Sequence, residues 1–309
     1  MILAKLIYLS LALQIVSDQS NITFFSGGNR VILTNFRPKS FEGIKSGEKQ
    51  KHVDIVGDPA QLRSPEKGFT ARGREMEFTW AELDPKTMEF RQGRIEGAAT
   101  IIFDSDVAQK ALTDDALNQK KKPPAPPAES SFMQVDSELF TYAGTVERGT
   151  LTMPDPWTFK DVAKGSQIQV KEKVPVKVNY DQTFDATGSK GVINIVRGPD
   201  GNLGKLESGT LEGPVHFKIV RRETPDGTSI TTTTTYTGVA DHIDIDLTTK
   251  PGTITAHGHV IVDADSIEYQ AHFVEEDFVF LVSDKLEPIG LKFSGNPGKT
   301  KATAKDGIH

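Results

Sequence analysis

Four histidines, at positions 242, 257, 259 and 272, lie close together in the last third of the chain. His257 and His259 are two residues apart, so in a regular strand their side chains share one face, as the ligands of a zinc or copper ion do. Solvent-facing strand histidines are the more usual outcome of this spacing. The pattern therefore favours exposed histidines, and we expect neither a metal nor another cofactor.

Paired carboxylates recur three times with the spacing Asp-x-Asp. These pairs are Asp104 with Asp106, Asp244 with Asp246, and Asp263 with Asp265. On a strand each pair places two carboxylates on one face, which suits acid/base catalysis or calcium binding. Catalysis requires one carboxyl to keep its proton while the other is ionised, and no neighbouring residues favour such a difference. Solvated strand faces explain the pairs more simply.

The remaining catalytic patterns are incomplete. Gly298-Lys299-Thr300 resembles the end of a phosphate-binding loop, but such a loop needs a glycine where Phe293 stands. Neither a G-x-S-x-G elbow nor an H-E-x-x-H helix occurs in the sequence. We therefore expect no catalytic residues and predict that the protein is not an enzyme.

Composition narrows the class of protein further. The 309 residues are 37% hydrophobic and 25% charged, which is typical of a soluble globular protein. A net charge of −6 gives no positive electrostatic field to attract the phosphates of nucleic acid, so we expect no nucleic-acid partner. The absence of cysteine excludes disulfides, thiol catalysis, cysteine metal sites and a lipoprotein anchor.

The N-terminus has the layout of a signal peptide. Lys5 precedes an apolar run over residues 6–16, and Ser17, Asp18 and Gln19 follow. The run is shorter than the ~20 residues that a membrane-spanning helix needs. We expect residues 1–19 to be a signal peptide, or alternatively an inner-membrane anchor, and the protein to be exported to the periplasm. A buried N-terminal strand or helix is the remaining alternative.

The rest of the chain alternates between apolar and polar residues, the period-two pattern of strands with one buried face. Met76, Phe78 and Trp80 are one example. Helical spacing is confined to roughly residues 106–117, and a Lys/Pro-rich segment, residues 118–131, is typical of a linker or a long exposed loop. The run from Thr231 to Thr235 favours a strand, either an edge that recruits a partner or a central strand with one polar face.

An internal repeat organises these strands. One copy starts at Phe69, a second at Tyr236 and a looser one at Phe184. Each copy begins with an aromatic residue and continues as a strand of alternating apolar and polar residues, followed by a turn and a second strand. A single strand pair leaves its apolar face exposed to water, so we expect the apolar faces of neighbouring copies to pack against one another.

The copy at Tyr236 resembles a known family. Its matching segments are Ala-Asp-His-Ile from Ala240, Ile-Thr-Ala-His-Gly-His-Val-Ile-Val from Ile254, and Ala-Asp-Ser-Ile-Glu-Tyr from Ala264. They resemble the OstA-like repeat of lipopolysaccharide transport, the family that includes LptA and LptC. The match covers roughly residues 228–282 well and the rest by pattern.

The resemblance implies an all-β fold, an open V-shaped β-jellyroll (β-taco) built from antiparallel strand-turn-strand units. Together with the Lys/Pro-rich linker at 118–131, it predicts a first OstA-like β region at 20–117 and a second β-jellyroll region with two repeat copies at 132–295. We expect a flexible tail at 296–309. It also implies lipid acyl chains in an apolar groove, with lipopolysaccharide or another acylated lipid as ligand. Other envelope transport proteins would pair with its edge strands, in outer-membrane biogenesis.

The aliphatic and aromatic side chains on one strand face are the candidates for lining this groove, since burying a CH₂ group gains about 0.8 kcal/mol without any directional contact. They are Met76, Phe78, Ile243, Ile245, Leu247, Ile254, Val260, Val262, Ile267 and Tyr269. The same residues would equally form the closed core of an extracytoplasmic scaffold or adhesion-type protein, because periodicity does not distinguish a groove from a core.

Overall fold

The computed structural model describes residues 20–26, 29–43, 49–82, 88–124, 130–145, 147–171, 174–196, 205–267, 269–282, 288–293 and 301–304. The predicted signal peptide or anchor, residues 1–19, lies outside them.

Sixteen strands form one antiparallel sheet in the described part of the chain. In chain order the strands are β1 Ser20–Ser26, β2 Asn29–Glu42, β3 Gln50–Ser64, β4 Phe69–Glu82, β5 Met88–Asp104, β6 Ser130–Gly144, β7 Arg148–Met153, β8 Trp157–Lys171, β9 Val174–Gly188, β10 Lys190–Val196, β11 Lys205–Pro225, β12 Thr232–Asp246, β13 Gly252–Asp265, β14 Tyr269–Val282, β15 Pro288–Phe293 and β16 Lys301–Ala304. Strands that follow one another in the chain are neighbours from β1 to β7 and again from β10 to β15. The all-β, jellyroll-like class predicted from the sequence is thereby confirmed.

Alternation determines which side of each strand is buried. In β4, Met76, Phe78 and Trp80 are all buried, whereas Glu77 between them is exposed. Removing one apolar face from water in this way stabilises the sheet by roughly 25 cal/mol per Å² of buried apolar surface.

The long strands bend near their middle, where the pairing register shifts. Shifts occur between residues 56 and 60 in β3, 72 and 75 in β4, 96 and 99 in β5, 212 and 215 in β11, 239 and 242 in β12, and 257 and 260 in β13. An unpaired residue bends its strand and increases the local twist. Because the shifts lie on neighbouring strands, the sheet folds over along one line, which we call the corner.

Two related positions in the repeat supply this bend. Gly97 in β5 and Gly258 in β13 both have positive φ, of 80° and 66°, and so do the residues that follow them, Ala98 and His259. Left-handed backbone is accessible to glycine at little steric cost. Copies of the repeat thus carry the corner as well as the strands.

The corner divides the sheet into two walls. We call the wall that contains β8 and β9 wall A, and the wall that contains β7 and β10 wall B. β6 pairs with β8 through its first half and with β7 through its last residues. β11 pairs with β10 through its first half and with β9 through its second half. Buried apolar side chains from both walls form one hydrophobic core between them.

One α-helix interrupts the described strands, α1 at Ser105–Asn118, where the sequence indicated helical spacing. The Lys/Pro-rich segment leads from α1 to β6, and its described residues 118–124 are mostly exposed. Since β5 and β6 are hydrogen-bonded neighbours, the two predicted β regions belong to one continuous sheet.

Both the predicted tail and the threonine run contain strand residues. β16 lies within the segment predicted to be a flexible tail and pairs with residues 269–272 of β14. It does so because β15 pairs only with residues 278–282 and leaves that edge of β14 open. Residues 232–235 of the threonine run lie in β12 and pair with β11, and Thr235 also pairs with Asp265 of β13. In the described part of the chain the run thus lies where β12 passes from an edge to a central position.

Candidate functional site

The space between the walls is lined by continuous rows of apolar residues. One row of wall A follows the register across β3, β4, β5, β6, β8, β9, β11, β12, β13 and β14. It consists of Leu62, Ala71, Ile101, Val135, Phe159, Ala186, Phe217, Gly238, Val262 and Phe273.

Wall B presents a matching row across ten strands. It consists of Val53, Phe78, Gly93, Tyr142, Leu151, Ile193, Gly209, Ile245, Ile254 and Phe280. Because in-register residues share one face of a sheet, each row forms an unbroken apolar band. The two bands belong to the same hydrophobic core.

Burial along these rows is uneven. In the N-terminal half, Val53, Ile55 and Met76 are 0% exposed, so the walls there close on one another. From β7 onward, among buried side chains such as Val178 and Val282, several side chains away from the corner are only partly buried and pack on the core. They include Leu151, Phe159, Phe184, Ile193, Leu211, Ile245, Ile254 and Phe273. Partly buried side chains on the core thus extend from β7 to β14, and the N-terminal half has others at Ile22, Phe24, Phe41, Phe69 and Phe103.

The predicted groove residues fall into three groups. Met76 and Phe78 lie in the closed N-terminal half and do not line an accessible surface, because the walls meet there. Near the corner Ile243, Val260 and Val262 are buried as well. Farther from the corner the remaining interior candidates, Ile245, Leu247 and Ile254, are partly buried.

The last two candidates lie where the chain passes from β13 to β14, and Tyr269 is the first residue of β14. Tyr269 is half-buried, and its hydroxyl lies 3.2 Å from that of Tyr236. Burial, together with this hydrogen bond, raises the pKa of Tyr236 above its ordinary range. Ile267 is 51% exposed in the turn between β13 and β14, so its assignment to the groove is wrong. The strand ends before it, which removes it from the alternation that the sequence pattern assumed.

Sequence reasoning missed a carboxyl group on the apolar face of wall A. Asp161 lies in register between Met133 on β6 and Phe184 on β9, on the same face as Phe159. Burial raises the pKa of the Asp161 carboxyl from 3.8 to about 6. The signal was present in the spacing, since Asp161 is two residues after Phe159, but nothing in the sequence showed that this face points inward.

A polar network continues that face toward the free end of wall A. Arg221 Nε donates to Glu223 Oε1 over 2.8 Å, and its Nη1 donates to Gln182 Oε1 over 3.0 Å. The guanidinium also lies 4.7 Å from the ring centre of Tyr180. The Gln169 side-chain amide donates a further bond to Glu223. On this face of β11 the apolar side chain of Phe217 is followed, four residues later, by the partly buried cation of Arg221. A surface that is apolar at one end and charged at the other suits an amphipathic ligand.

On the outer face of the sheet, the predicted pairing of His257 with His259 is wrong. The left-handed backbone at Gly258 and His259 breaks the alternation, and His259 Nδ1 lies 2.9 Å from Asp241 Oδ2. Hydrogen bonding to that carboxylate raises the pKa of His259. His257 instead stacks against His242 of the adjacent strand, with ring centres 4.6 Å apart.

The Asp-x-Asp pairs have separate roles. Asp104 Oδ1 accepts hydrogen bonds from the backbone N–H groups of Asp106 and Val107 and caps α1, so this pair does not share a strand face as expected. Asp244 accepts a bond from the Thr210 hydroxyl, and Asp263 lies 2.6 Å from His272 Nδ1. These carboxylates belong to local pairs on the surface.

A shallow depression of about 630 Å³ lies at the corner where β8 and β9 separate from β7 and β10. Trp157, Gly188, Ser189 and Pro214 contribute to its lining, together with neighbouring residues of β5 and β6. It is open to solvent and offers little of the enclosed apolar surface that buries a small molecule.

Comparison of the chain with protein-family models, with curated proteins and with solved structures finds no match. Among the described residues, α1 is too short and too polar to cross a membrane, and no other helix there is a candidate.

Proposed function

We propose that the protein binds an acylated lipid, lipopolysaccharide or one of similar chemistry, between its two walls. The acyl chains would lie against the partly buried side chains of β7 to β14, and the polar head near Arg221 and Gln182. The observation that carries this proposal is the joining of partly buried apolar side chains, such as Phe159 and Phe184, to a polar network on the same face of wall A.

Energetics favour such a ligand over a compact polar one. An acyl chain gains about 0.8 kcal/mol for each CH₂ group that it buries. Ten methylenes therefore gain about 8 kcal/mol before the cost of ordering the ligand, so micromolar binding would require more methylenes than ten to be buried. No catalytic group is needed for this function.

Export and partner pairing extend the proposal. A lipid carrier of this kind would act in the periplasm, in transfer or bridging of lipid during outer-membrane biogenesis. Among the described strands β1 pairs only with β2, so its other edge is available for strand addition by an envelope transport protein.

The direct test is binding of a fluorescent acyl probe, with lipopolysaccharide as competitor. Ile245→Asp places a charge on the accessible inner face, and we expect it to weaken probe binding more than about 10-fold, since a lost apolar contact and a desolvated charge each cost over 1 kcal/mol. Ile261→Asp introduces the same change at an outward residue that is 37% exposed, and serves as the matched control. A photo-crosslinking amino acid at position 245 would show whether lipid reaches this surface in cells.

Two results would refute the proposal. One is the absence of saturable probe binding by folded wild-type protein. The other is equal loss of binding in the Ile245 and Ile261 variants.

The closed N-terminal half favours a second candidate, a scaffold or adhesion-type protein with a sealed core. It predicts the first of these results, together with a measurable protein partner.

A further inference from the structure

The outer face of wall B carries a cluster of metal-ligating side chains. His242 on β12 and His257 on β13 are directly opposite in register, and Asp277 on β14 is opposite His257. Asp244 lies two residues from His242 on the same face of β12. Three adjacent strands thus contribute two imidazoles and two carboxylates to one patch.

Three of these side chains converge on one point. His257 Nε2 lies 3.5 Å from Asp244 Oδ2, and His242 Nε2 lies 4.0 Å from the same oxygen. The three ligand atoms are all within 4.8 Å of one another. Ligands bound to zinc at 2.0–2.1 Å in a tetrahedral site are about 3.3 Å apart. Side-chain rotations that shorten the longest separation by about 1.5 Å would therefore complete a coordination shell.

Neighbouring groups already orient two of the three ligands. His257 Nδ1 lies 2.6 Å from Asp277 Oδ1, and because a carboxylate accepts, Nδ1–H is the donor. Nε2, 3.5 Å from Asp244 Oδ2, is then the atom that would bind a metal ion. The Thr210 hydroxyl donates to Asp244 Oδ1 over 3.0 Å and leaves Oδ2 for the cluster. A carboxylate bonded to the far nitrogen of a histidine is the usual partner of a metal-bound imidazole.

We propose that His242, Asp244 and His257 bind one divalent transition-metal ion of the zinc class on the outer face of wall B, with Asp277 orienting His257. Two imidazoles and one carboxylate suit zinc better than magnesium or calcium, which prefer oxygen ligands. Three protein ligands leave room for water on the solvent side. The proposed site is on the opposite side of the sheet from the lipid surface and is independent of it.

Zinc titration of the full chain, without a polyhistidine tag, tests the proposal by calorimetry. We expect one ion per chain, no comparable binding of magnesium, and weaker zinc binding in acid because protons compete for the imidazoles. Cobalt(II) in place of zinc provides a visible spectrum that reports nitrogen and oxygen coordination.

Variants separate the site from general surface binding. Asp277→Asn should weaken zinc binding about 10- to 100-fold, and His242→Ala or His257→Ala should weaken it more than that, because each removes a direct ligand. His272→Ala is the matched control, since His272 also contacts a carboxylate, Asp263, on the outer face. The side chains of His242, Asp244 and Asp277 are 44%, 49% and 43% exposed, so the variants should keep the fold.

The proposal is overturned if the wild-type chain does not bind zinc saturably at micromolar concentration. It is also overturned if His242→Ala and His257→Ala bind as well as wild type, or if His272→Ala loses binding to the same extent. Circular dichroism of each metal-free variant identifies any loss that comes from misfolding, and Asp277→Asn then provides the decisive measurement.

Discussion

Replacement of Asp161 by asparagine should stabilise the protein at neutral pH and leave its stability unchanged in acid. Asp161 lies on the apolar face of wall A between Met133 and Phe184, where burial raises the pKa of its carboxyl from 3.8 to about 6. Asparagine has nearly the same shape as the protonated acid and never ionises. The variant therefore removes only the cost of holding a carboxylate in this position.

The sign and size of the effect follow from proton linkage. Well below pH 4 the carboxyl is protonated in both the folded and the unfolded chain, and up to about pH 4 it contributes little pH dependence. Between about pH 4 and 6 the unfolded chain releases the proton first, and the free energy of unfolding falls as the pH rises. The two pKa values differ by an amount worth about 3 kcal/mol at most. Solvent reaches part of the side chain and screens the charge, so we expect about 1 to 2 kcal/mol above pH 7.

Urea unfolding of wild type and Asp161→Asn at pH 4 and pH 8 measures this difference. The variant should be more stable by about 1 to 2 kcal/mol at pH 8 and equal to wild type at pH 4. Asp226→Asn, at an exposed turn, is the matched control and should change neither value by more than about 0.5 kcal/mol. Equal effects of Asp161→Asn at both pH values would show that ionisation of a desolvated carboxyl is not the cause.

Two further substitutions test the packing and the helix. Gly238→Ala would place its Cβ 2.3 Å from the ring of Phe217, so we expect a loss of about 1 to 3 kcal/mol in urea unfolding, and a variant as stable as wild type would contradict the close packing of this row. Asp104→Ala removes the cap of α1 and should cost about 1 kcal/mol with reduced helical circular dichroism. Asp106→Ala, in the first turn but not the cap, should cost only a few tenths of a kcal/mol, and equal costs would count against the capping role.

The strands and their connections were predictable because their causes are local. Alternation at Met76, Phe78 and Trp80 indicated one buried face, and burial of all three agrees with it. The reversal at Pro225-Asp226-Gly227 lies between β11 and β12, with Gly227 at a φ of 77°. The helix also began within one residue of its predicted start, where Asp104 provides the cap.

Site residues were less predictable, because their surroundings come from distant parts of the chain. The spacing of His257 and His259 predicted one shared strand face, but the register shift in β13 separates them. The pairing of β12 with β13 instead places His242 beside His257. Asp161, Arg221 and Gln182 gave no signal as a group, since they come from three strands. Ile267 continued the apolar pattern in sequence but lies in a turn.

By itself the sequence determined the β class, the repeat, the helix and the identity of the residues that alternate, since each depends on neighbours within a few positions. Only the tertiary structure decided where the long strands bend, which face of each strand points inward and how far the walls approach one another. Those outcomes depend on cross-strand register and on packing between residues that are 20 to 100 positions apart, such as Leu151 with Ile193 and Phe217 with Phe280. A period of two gives a strand two faces, but the partner strands determine which of them is buried.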